Sequence, residues 1–510
     1  ELDLSTEKLW KYGISGDNPI LLVKLRDKND TYLINEITKA KEYFNMKNIL
    51  VDIIILSKNE IQSNFKTLIN IPLEDKRVIE ARANLILDSK LGSINIQMKE
   101  LEKEKKEDKI ILNKGKSSKN IEIDTSKLLY YNGYGGFSKD GNEYHIIVNK
   151  HKKTPAVWCN IMANEKFGTL TTEALGGYTW YYNCKTNRLT EFSNDALLDK
   201  PSELIILKEN EEYFSISPNI LADEGNYHIT YGFGYSIFNH IYKDIEEELT
   251  IFVPVNDSLK ISKLSLKNTS LKKKKITIYY SVDFILGERK DRFVNFQFKE
   301  NYNLLLVKNN INPNYYAYIT SNEPLNYTNN LIQINVEIDS LETKDISLIL
   351  GAEKTETECM EIGTKYLGKE KEALEEVKKY WMNKVEIAKA KTPLPSFDIF
   401  QNGWALYQTI ASRKFAKTGF YQSGGATGYR DQLQDAMNLK YLDSNILKNQ
   451  ILLHTKHQFK EGDVLHWWHN ESNLGLRARY SDTMLWLAYA VITYIDFTGD
   501  YSILNEEVEY

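Results

Sequence analysis

Three cysteines in 510 residues are too few, and too scattered, to staple a fold or cage a metal. Cys159, Cys184 and Cys359 form no pair at metal-ligand spacing, and an odd, sparse count fits a reducing cytoplasm. No run is apolar enough to span a membrane and no signal peptide is visible, so no membrane contact is expected. Positive charge is not in excess either. A net charge of −5 excludes the concentrated basic surface that nucleic-acid binding needs. The short basic run at 272–275 lies between two strand-like stretches and reads as a solvated turn. The chain also lacks an initiating methionine: it starts at Glu1, which suggests a piece of something longer.

What is present is ordinary globular material, 42% hydrophobic and 26% charged, enough for about two to four domains. Aromatic residues reach 12%, with 33 Tyr and 8 Trp. That total suits a carbohydrate binder and equally reflects genome composition, so only the placement of the rings is informative.

The pattern changes three times along the chain. Residues 1–120 look α/β: an apolar run at 19–25, helical spacing at 31–44 (Leu33, Ile37, Ala40, Phe44), a β-branched run at 49–56 and a helix over 75–87. The charged stretch 102–120, with Ile110, Ile111 and Leu112 as its apolar residues, reads as an exposed connection. Residues 121–352 carry short alternating runs broken by Gly, Asn, Asp and Pro, among them 144–148, 203–207, 248–253, 275–282 and 332–338. That is the signature of a large antiparallel β-sandwich. Residues 353–395 form a helical linker: 361–389 is charged and helical, with Leu367, Leu374, Val377, Tyr380 and Trp381 as its apolar side chains. Pro393 and Pro395 close it. Residues 396–510 read as all-α, with helices over 397–421, 431–442, 444–459 and 481–498. Ser444 and Ser481 are candidate N-caps, and Gly419 and Gly499 fall near helix ends.

The stretch 421–482 is the richest in chemistry. Its clusters fall between these helices, where alternate connections of an antiparallel array gather on one face. They mix carboxylates, amides and rings: Tyr421 to Asp435, Asp463 to His469, and Arg479 to Trp486. Rings cover the apolar face of a pyranose, carboxylates and amides bind its hydroxyls, and a carboxyl group can protonate a glycosidic oxygen. Gly424, Gly425 and Gly428 permit close backbone approach to a ligand and could cradle phosphate through their amides, although such loops are common turns. Half of the 8 histidines lie here, at 454, 457, 466 and 469. The spacing looks metal-like, but no carboxylate or cysteine set completes a site and two tryptophans intervene, so no metal is expected.

Several segments, in order along most of the chain, carry a resemblance. They are Gly13-Ile14-Ser15-Gly16-Asp17, Asn132-Gly133-Tyr134-Gly135-Gly136-Phe137, Thr154-Pro155-Ala156-Val157-Trp158, Gly177-Tyr178-Thr179-Trp180, Asn187-Arg188-Leu189-Thr190 with Asn194-Asp195, and Gly232-Phe233-Gly234-Tyr235-Ser236, followed by the 421–482 clusters. The chain resembles the inverting β-glucan phosphorylases of glycoside hydrolase family 94. Its greatest likeness is to the 1,2-β-oligoglucan phosphorylases and the phosphorylase-like region of cyclic β-1,2-glucan synthases. The resemblance implies a multidomain α and β fold: a small α/β segment, a large β-sandwich, a helical linker and an (α/α)6 barrel, usually as a homodimer. A full barrel needs about twelve helices and this sequence supplies the first four or so. The family's phosphate ligands are therefore expected beyond Tyr510.

The resemblance implies phosphorolysis of β-glucooligosaccharides with inorganic phosphate as co-substrate and no cofactor. It makes Asp482 the general acid, with Thr483 standing where the family has a second aspartate. Just after an N-cap the helix dipole favours an ionised carboxylate, so burial or a phosphate dianion must push this acid upward. Arg430, Asp431, Gln434 and Asp435, spaced along one helix, should bind donor-sugar hydroxyls; the bland alternative is an Arg–Asp surface pair. Trp467 or Trp468 should stack on sugar, with His466 or His469 bonding its hydroxyls and Tyr480 also in the site, one tryptophan of the pair being open to a core role. Arg188, Asn194 and Asp195 in the sandwich loops are expected on the acceptor side, while Trp158 and Trp180 are explained equally by packing. The rivals are a chain-length-controlling domain of a cyclic glucan synthase, a non-catalytic glucan-binding fragment, and an inverting hydrolase with a second carboxylate to activate water.

Overall fold

A computed structural model describes residues 6–27, 30–104, 112–290, 293–310, 312–328 and 331–509. The chain divides into two compact units, residues 1–111 with 310–313, and residues 112–309 with 314–510.

The first unit is built on four parallel strands in the spatial order Lys66–Ile69, Asp52–Ser57, Ile20–Lys24, Leu85–Asp88. Alternate residues of one strand enter different cores. Ile20 and Leu22 pack with Ile54, Leu56, Val78 and Ile79, while Leu21 and Val23 pack with Ile53, Ile55, Leu33 and Ile37. A strand covered on both faces needs a continuous apolar run rather than alternation, which is what 20–23 and 53–56 supply. The helix Leu73–Arg82 ends sooner than the 75–87 pattern predicts. Ala83 is already extended, and Leu85–Asp88 pairs with Ile20–Lys24. A short buried strand running on from a helix cannot be told from its continuation by periodicity alone. Within 102–120, Ile110 and Ile111 lie outside the described residues.

The second unit holds the sandwich. A ten-stranded sheet contains Tyr235–Tyr242, Ile245–Phe252, Leu259–Asn268 and Thr343–Glu353 as successive antiparallel neighbours. Burial alternates along Tyr235–Tyr242 and Leu331–Ile338, as a sheet with one face toward a core requires. Two five-stranded sheets complete it. One of them carries the hairpin of Gly177–Tyr181 and Arg188–Thr190, whose turn reaches the site below.

The linker is two helices rather than one. Glu356–Lys365 opens with a capping box between Thr355 and Glu358, and Glu370–Val385 follows after Gly368, which takes a positive φ of 77°. The second helix buries Ala373, Val377, Trp381 and Val385 at i, i+4 spacing. Trp381 covers Gly234 so closely that a Cβ there would sit 2.3 Å from the indole nitrogen.

The next helical stretch, from Pro395 to Ala416, contains two π-helical turns, Phe400–Trp404 and Thr409–Ala416, and stops at Lys417, which takes a left-handed φ of 51°. It ends short of the 397–421 expectation, and Lys417 rather than Gly419 makes the break. Its Trp404 donates to the Gly141 carbonyl at 2.8 Å, and the Tyr407 hydroxyl donates to that of Ile161 at 2.7 Å, fixing it to the sandwich. Asp431–Leu439, Ser444–Thr455 and Leu485–Thr498 follow. Asp443, not Ser444, caps its helix by accepting from the Asn445 N–H, and 481–484 is a turn, so Ser481 caps nothing. Gly499 does close the last helix with φ of 68°. The all-α reading missed a three-stranded antiparallel sheet of Thr427–Gly428, Leu465–Trp468 and Gly475–Arg477. Its strands are too short to show a period. Among the described residues no helix is long and apolar enough to cross a membrane, and all three cysteines are unpaired.

Candidate active site

The small sheet and the helices around it hold one core: Tyr429, Leu433, Leu447, Ile451, Trp468 and Tyr494. Because side chains alternate along a strand, adjacent tryptophans on Leu465–Trp468 face opposite ways. Trp468 is fully buried, with the His457 ring stacked on it at 3.9 Å, so it is a core residue and cannot stack on a sugar. Trp467 is half-buried and turns to the other side, where it meets His469 edge-on at 5.8 Å. His466 stacks on the exposed Tyr480 ring at 4.2 Å, and its buried Nδ1 has no partner among the described residues.

Asp482 sits in the turn that precedes Leu485–Thr498. Its Oδ2 accepts from Arg430 Nη1 at 3.0 Å and from Trp486 Nε1 at 3.4 Å. Both members of the ion pair are about half exposed, at 45% and 49%. The sequence argument required this carboxyl to be pushed upward; here the Arg430 guanidinium and the Trp486 indole hold it below the usual carboxylate range. Arg430 also lies 3.9 Å from Asp431, so one guanidinium stands between two carboxylates.

Asp431 and Trp467 line a cavity of about 740 Å³, together with Gly424, Gly428, Arg413 and His469. Asp435, one turn further along the helix, lines a different cavity of about 700 Å³ and accepts from Arg413 Nε at 3.0 Å. Burial raises the Asp435 carboxyl against the pull of Arg413. Gln434 is exposed and borders neither cavity. On this helix Gln432 borders both cavities, and its Oε1 accepts from the Gly428 N–H at 2.5 Å. The Gly425 N–H donates to the Lys417 carbonyl at 3.0 Å. Two amides proposed as a phosphate cradle are therefore already engaged.

The sandwich hairpin plugs into this loop. Asn183 Nδ2 donates to the Gly425 carbonyl at 3.1 Å and to Glu471 Oε2 at 2.8 Å, and lies 3.2 Å from His469 Nδ1. Arg188 donates to the Cys184 carbonyl at 3.0 Å and to Ser423 Oγ at 3.2 Å, with its guanidinium over the Tyr178 ring. Arg188 thus braces the glycine-rich loop. Asn194 and Asp195 lie in a loop of their own: Asn194 is exposed with φ of 50°, and Asp195 caps the turn at Leu197 and Leu198. Trp180 is core, and Trp158 packs edge-on against Tyr134 and Tyr144. Three of the four clustered histidines, His454, His457 and His469, have protein partners at a ring nitrogen. His454 Nδ1 lies 2.8 Å from the Gln450 carbonyl, and burial lowers its pKa to about 4; His457 Nδ1 lies 2.8 Å from that of Leu453. Sequence reasoning passed over Asn183, Gln432 and Lys417. Gln432 is within reach of helical periodicity once the buried neighbour Leu433 is placed, whereas Asn183 acts on a residue 242 positions away and has no local signature.

Comparison with known proteins places two stretches in one family. Residues 142–331 match the supersandwich domain of glycosyl hydrolase 94, and residues 380–510 match the catalytic domain of the glycosyl hydrolase 94 superfamily. The cyclic beta-(1,2)-glucan synthase NdvB of Rhizobium meliloti (strain 1021) is 25% identical over 594 residues, covering 99% of this chain and 21% of that protein. The N,N'-diacetylchitobiose phosphorylase of Vibrio proteolyticus is 25% identical, covering 74% of this chain and 56% of that protein. Among solved structures, a putative kojibiose phosphorylase from human microbiome matches with a TM-score of 0.50 and 12% identity, over 73% of this chain and 58% of that one. At that identity the likeness is one of fold. The chain spans between about a fifth and just over half the length of these curated relatives.

Proposed function

This chain belongs to the glycosyl hydrolase 94 family, and on that premise we propose that it carries the donor-side half of an inverting β-glucan phosphorylase site. Asp482 protonates the leaving glycosidic oxygen while phosphate attacks the anomeric carbon from the opposite face. The C1–O bond of the glucoside breaks, the new C1–O bond is to phosphate, and α-glucose 1-phosphate leaves beside a chain shortened by one residue. Phosphate is already an anionic nucleophile, so no protein base is required. No cofactor enters the reading, and β-1,2-linked glucan is the favoured substrate because of the extent of the NdvB match.

The observation that carries this reading is the Asp482–Arg430 pair, whose guanidinium also lies 3.9 Å from Asp431, a residue that lines the first cavity. Arg430 holds the acid ionised while the site is open. Bound sugar drawing the guanidinium onto its hydroxyls, with a phosphate dianion arriving nearby, would raise the Asp482 carboxyl toward a working acid. Asp431 and Trp467 then bind the donor sugar from the cavity wall, with His466 and Tyr480 as an exposed stacked pair alongside. Arg188 acts through the loop it braces. A homodimer in a reducing compartment completes the reading, the three unpaired thiols being consistent with the latter.

A second reading has its own support. The NdvB match runs over 99% of the chain and so takes in the first α/β unit, whereas the chitobiose phosphorylase match covers 74%. That favours a phosphorylase-like, chain-length-controlling region of a cyclic β-glucan synthase. One experiment tests the common chemistry. The full-length protein that carries this chain is incubated with β-1,2- and β-1,4-glucooligosaccharides, with and without phosphate. Phosphate-dependent release of glucose 1-phosphate is expected; free glucose appearing equally well without phosphate would replace the phosphorylase with a hydrolase.

A further inference from the structure

Behind the glycine-rich loop lies the second cavity, about 700 Å³, within the range of small-molecule sites. Sandwich residues form one wall, Tyr181, Tyr182 and Tyr315 among them, and the helical part forms the other. Three features of that wall are unusual. Lys414 and Lys417 both border the cavity, and among the described residues neither ammonium closes an ion pair or hydrogen bond. Burial lowers the pKa of both, Lys417 and Lys384 lower that of Lys414 further, and the Glu165 and Glu471 carboxylates, which also border the cavity, offset this in part without closing an ion pair to either. Third, Tyr315 is 3% exposed and its hydroxyl has no partner among the described residues. Two partly desolvated ammoniums that close no direct ion pair gain from an anion that bonds them. A buried hydroxyl without a partner gains in the same way from a group that bonds it. The ring cluster, Tyr181 to Tyr315 at 5.3 Å and Tyr181 to Tyr182 at 4.7 Å, and the amides of Gln450 and Asn470 give the rest of the wall the character of a sugar site.

We infer that this cavity binds an anionic sugar, a phosphate ester of a hexose or short oligosaccharide, with the anion between Lys414 and Lys417 and a sugar hydroxyl on Tyr315. The site is separate from the Asp482 chemistry and does not depend on the phosphorylase reading. It touches the first cavity through Lys417 and Gln432, which border both. Lys414 borders only this one of the two, which makes it the discriminating position.

Titration calorimetry of the protein with glucose 6-phosphate, glucose and inorganic phosphate tests the inference. Glucose 6-phosphate is expected to bind saturably and at least about tenfold more tightly than either control. Lys414→Gln and Lys417→Gln should each weaken it about tenfold or more, and added salt should weaken it too. Asp482→Asn should leave it unchanged. Removing one of two half-buried ammoniums that close no ion pair should not lower the melting temperature. If a lysine variant nevertheless fails to fold, Tyr315→Phe, which deletes a single oxygen, should weaken binding severalfold. No saturable binding, unchanged affinity in Lys414→Gln, or loss of affinity in Asp482→Asn would each overturn the assignment. Equal affinity for inorganic phosphate would overturn the sugar half of it.

Discussion

Two clusters in this protein are made of the same groups and come to opposite uses. In the sandwich, His240 lies between Asp223 and Glu247, 3.1 Å from each, with Tyr227 stacked on its ring and all three charged side chains buried. In the helical part, Arg430 stands between Asp431 and Asp482, all three about half exposed. Burial alone works against the His240 charge, but the two carboxylates outweigh it and hold the imidazolium up to about 9. Water screens the second cluster, so its ion pairs contribute little to stability and the groups stay free to meet a ligand. A sealed charge cluster holds the fold together, whereas an open one is available for chemistry.

The comparison can be broken most sharply at its two centres. Asp482→Asn should lower turnover by about 10²–10⁴-fold, the scale of a lost general acid, while leaving glucan binding and the melting temperature almost unchanged. Normal turnover would take Asp482 out of the mechanism. His240→Leu should do the reverse. Leaving two buried carboxylates without their cation should cost roughly 3–5 kcal/mol in denaturant unfolding. A variant as stable as the parent would mean that the cluster is neutral in the folded protein.

Changing pH probes the same contrast more gently. The folded His240 binds its proton more tightly than the unfolded one. Its contribution is therefore fully present below about 6.5 and is lost as pH rises through about 9. The melting temperature should fall across that window, and His240→Leu should flatten the fall. At the open cluster the effect is on activity. Arg430→Met removes the group that holds the Asp482 carboxyl low, so the decline of kcat/KM with rising pH should move to higher pH, whatever the loss in absolute rate. An unmoved limb would show that Arg430 does not set the acid.

Much of the scaffold could be read from period. The alternation at 332–338 and the continuous run at 53–56 each show how many faces of a strand are covered. What could not be read was where a pattern stops. Leu85–Asp88 looks like more of the helix before it, and the π turns between Phe400 and Ala416 leave no mark in hydropathy. In the candidate site, sequence pointed to segments that the fold gathers together, but the side chains they present differ from those expected. Asp431 and Asp435 are one turn apart, as spacing suggested, yet they border different cavities, Asp431 at the first residue of the helix and Asp435 one turn in. Of the pair 467–468, strand alternation requires that only one faces outward, but which one depends on what packs beneath it. Here that is Tyr429 and His457, neither adjacent in sequence.

Gly425 has a consequence for how this protein can change over generations. It holds φ of 67°, and a Cβ on it would stand 2.4 Å from Asn183 Oδ1. Asn183 in turn spends its amide nitrogen on the Gly425 carbonyl. Neither residue can drift first: a side chain at 425 strikes the asparagine, and a different side chain at 183 leaves the loop without its brace. Lineages that alter the glycine-rich loop should therefore carry paired substitutions at these two positions, in two domains, and intermediates with only one should be rare.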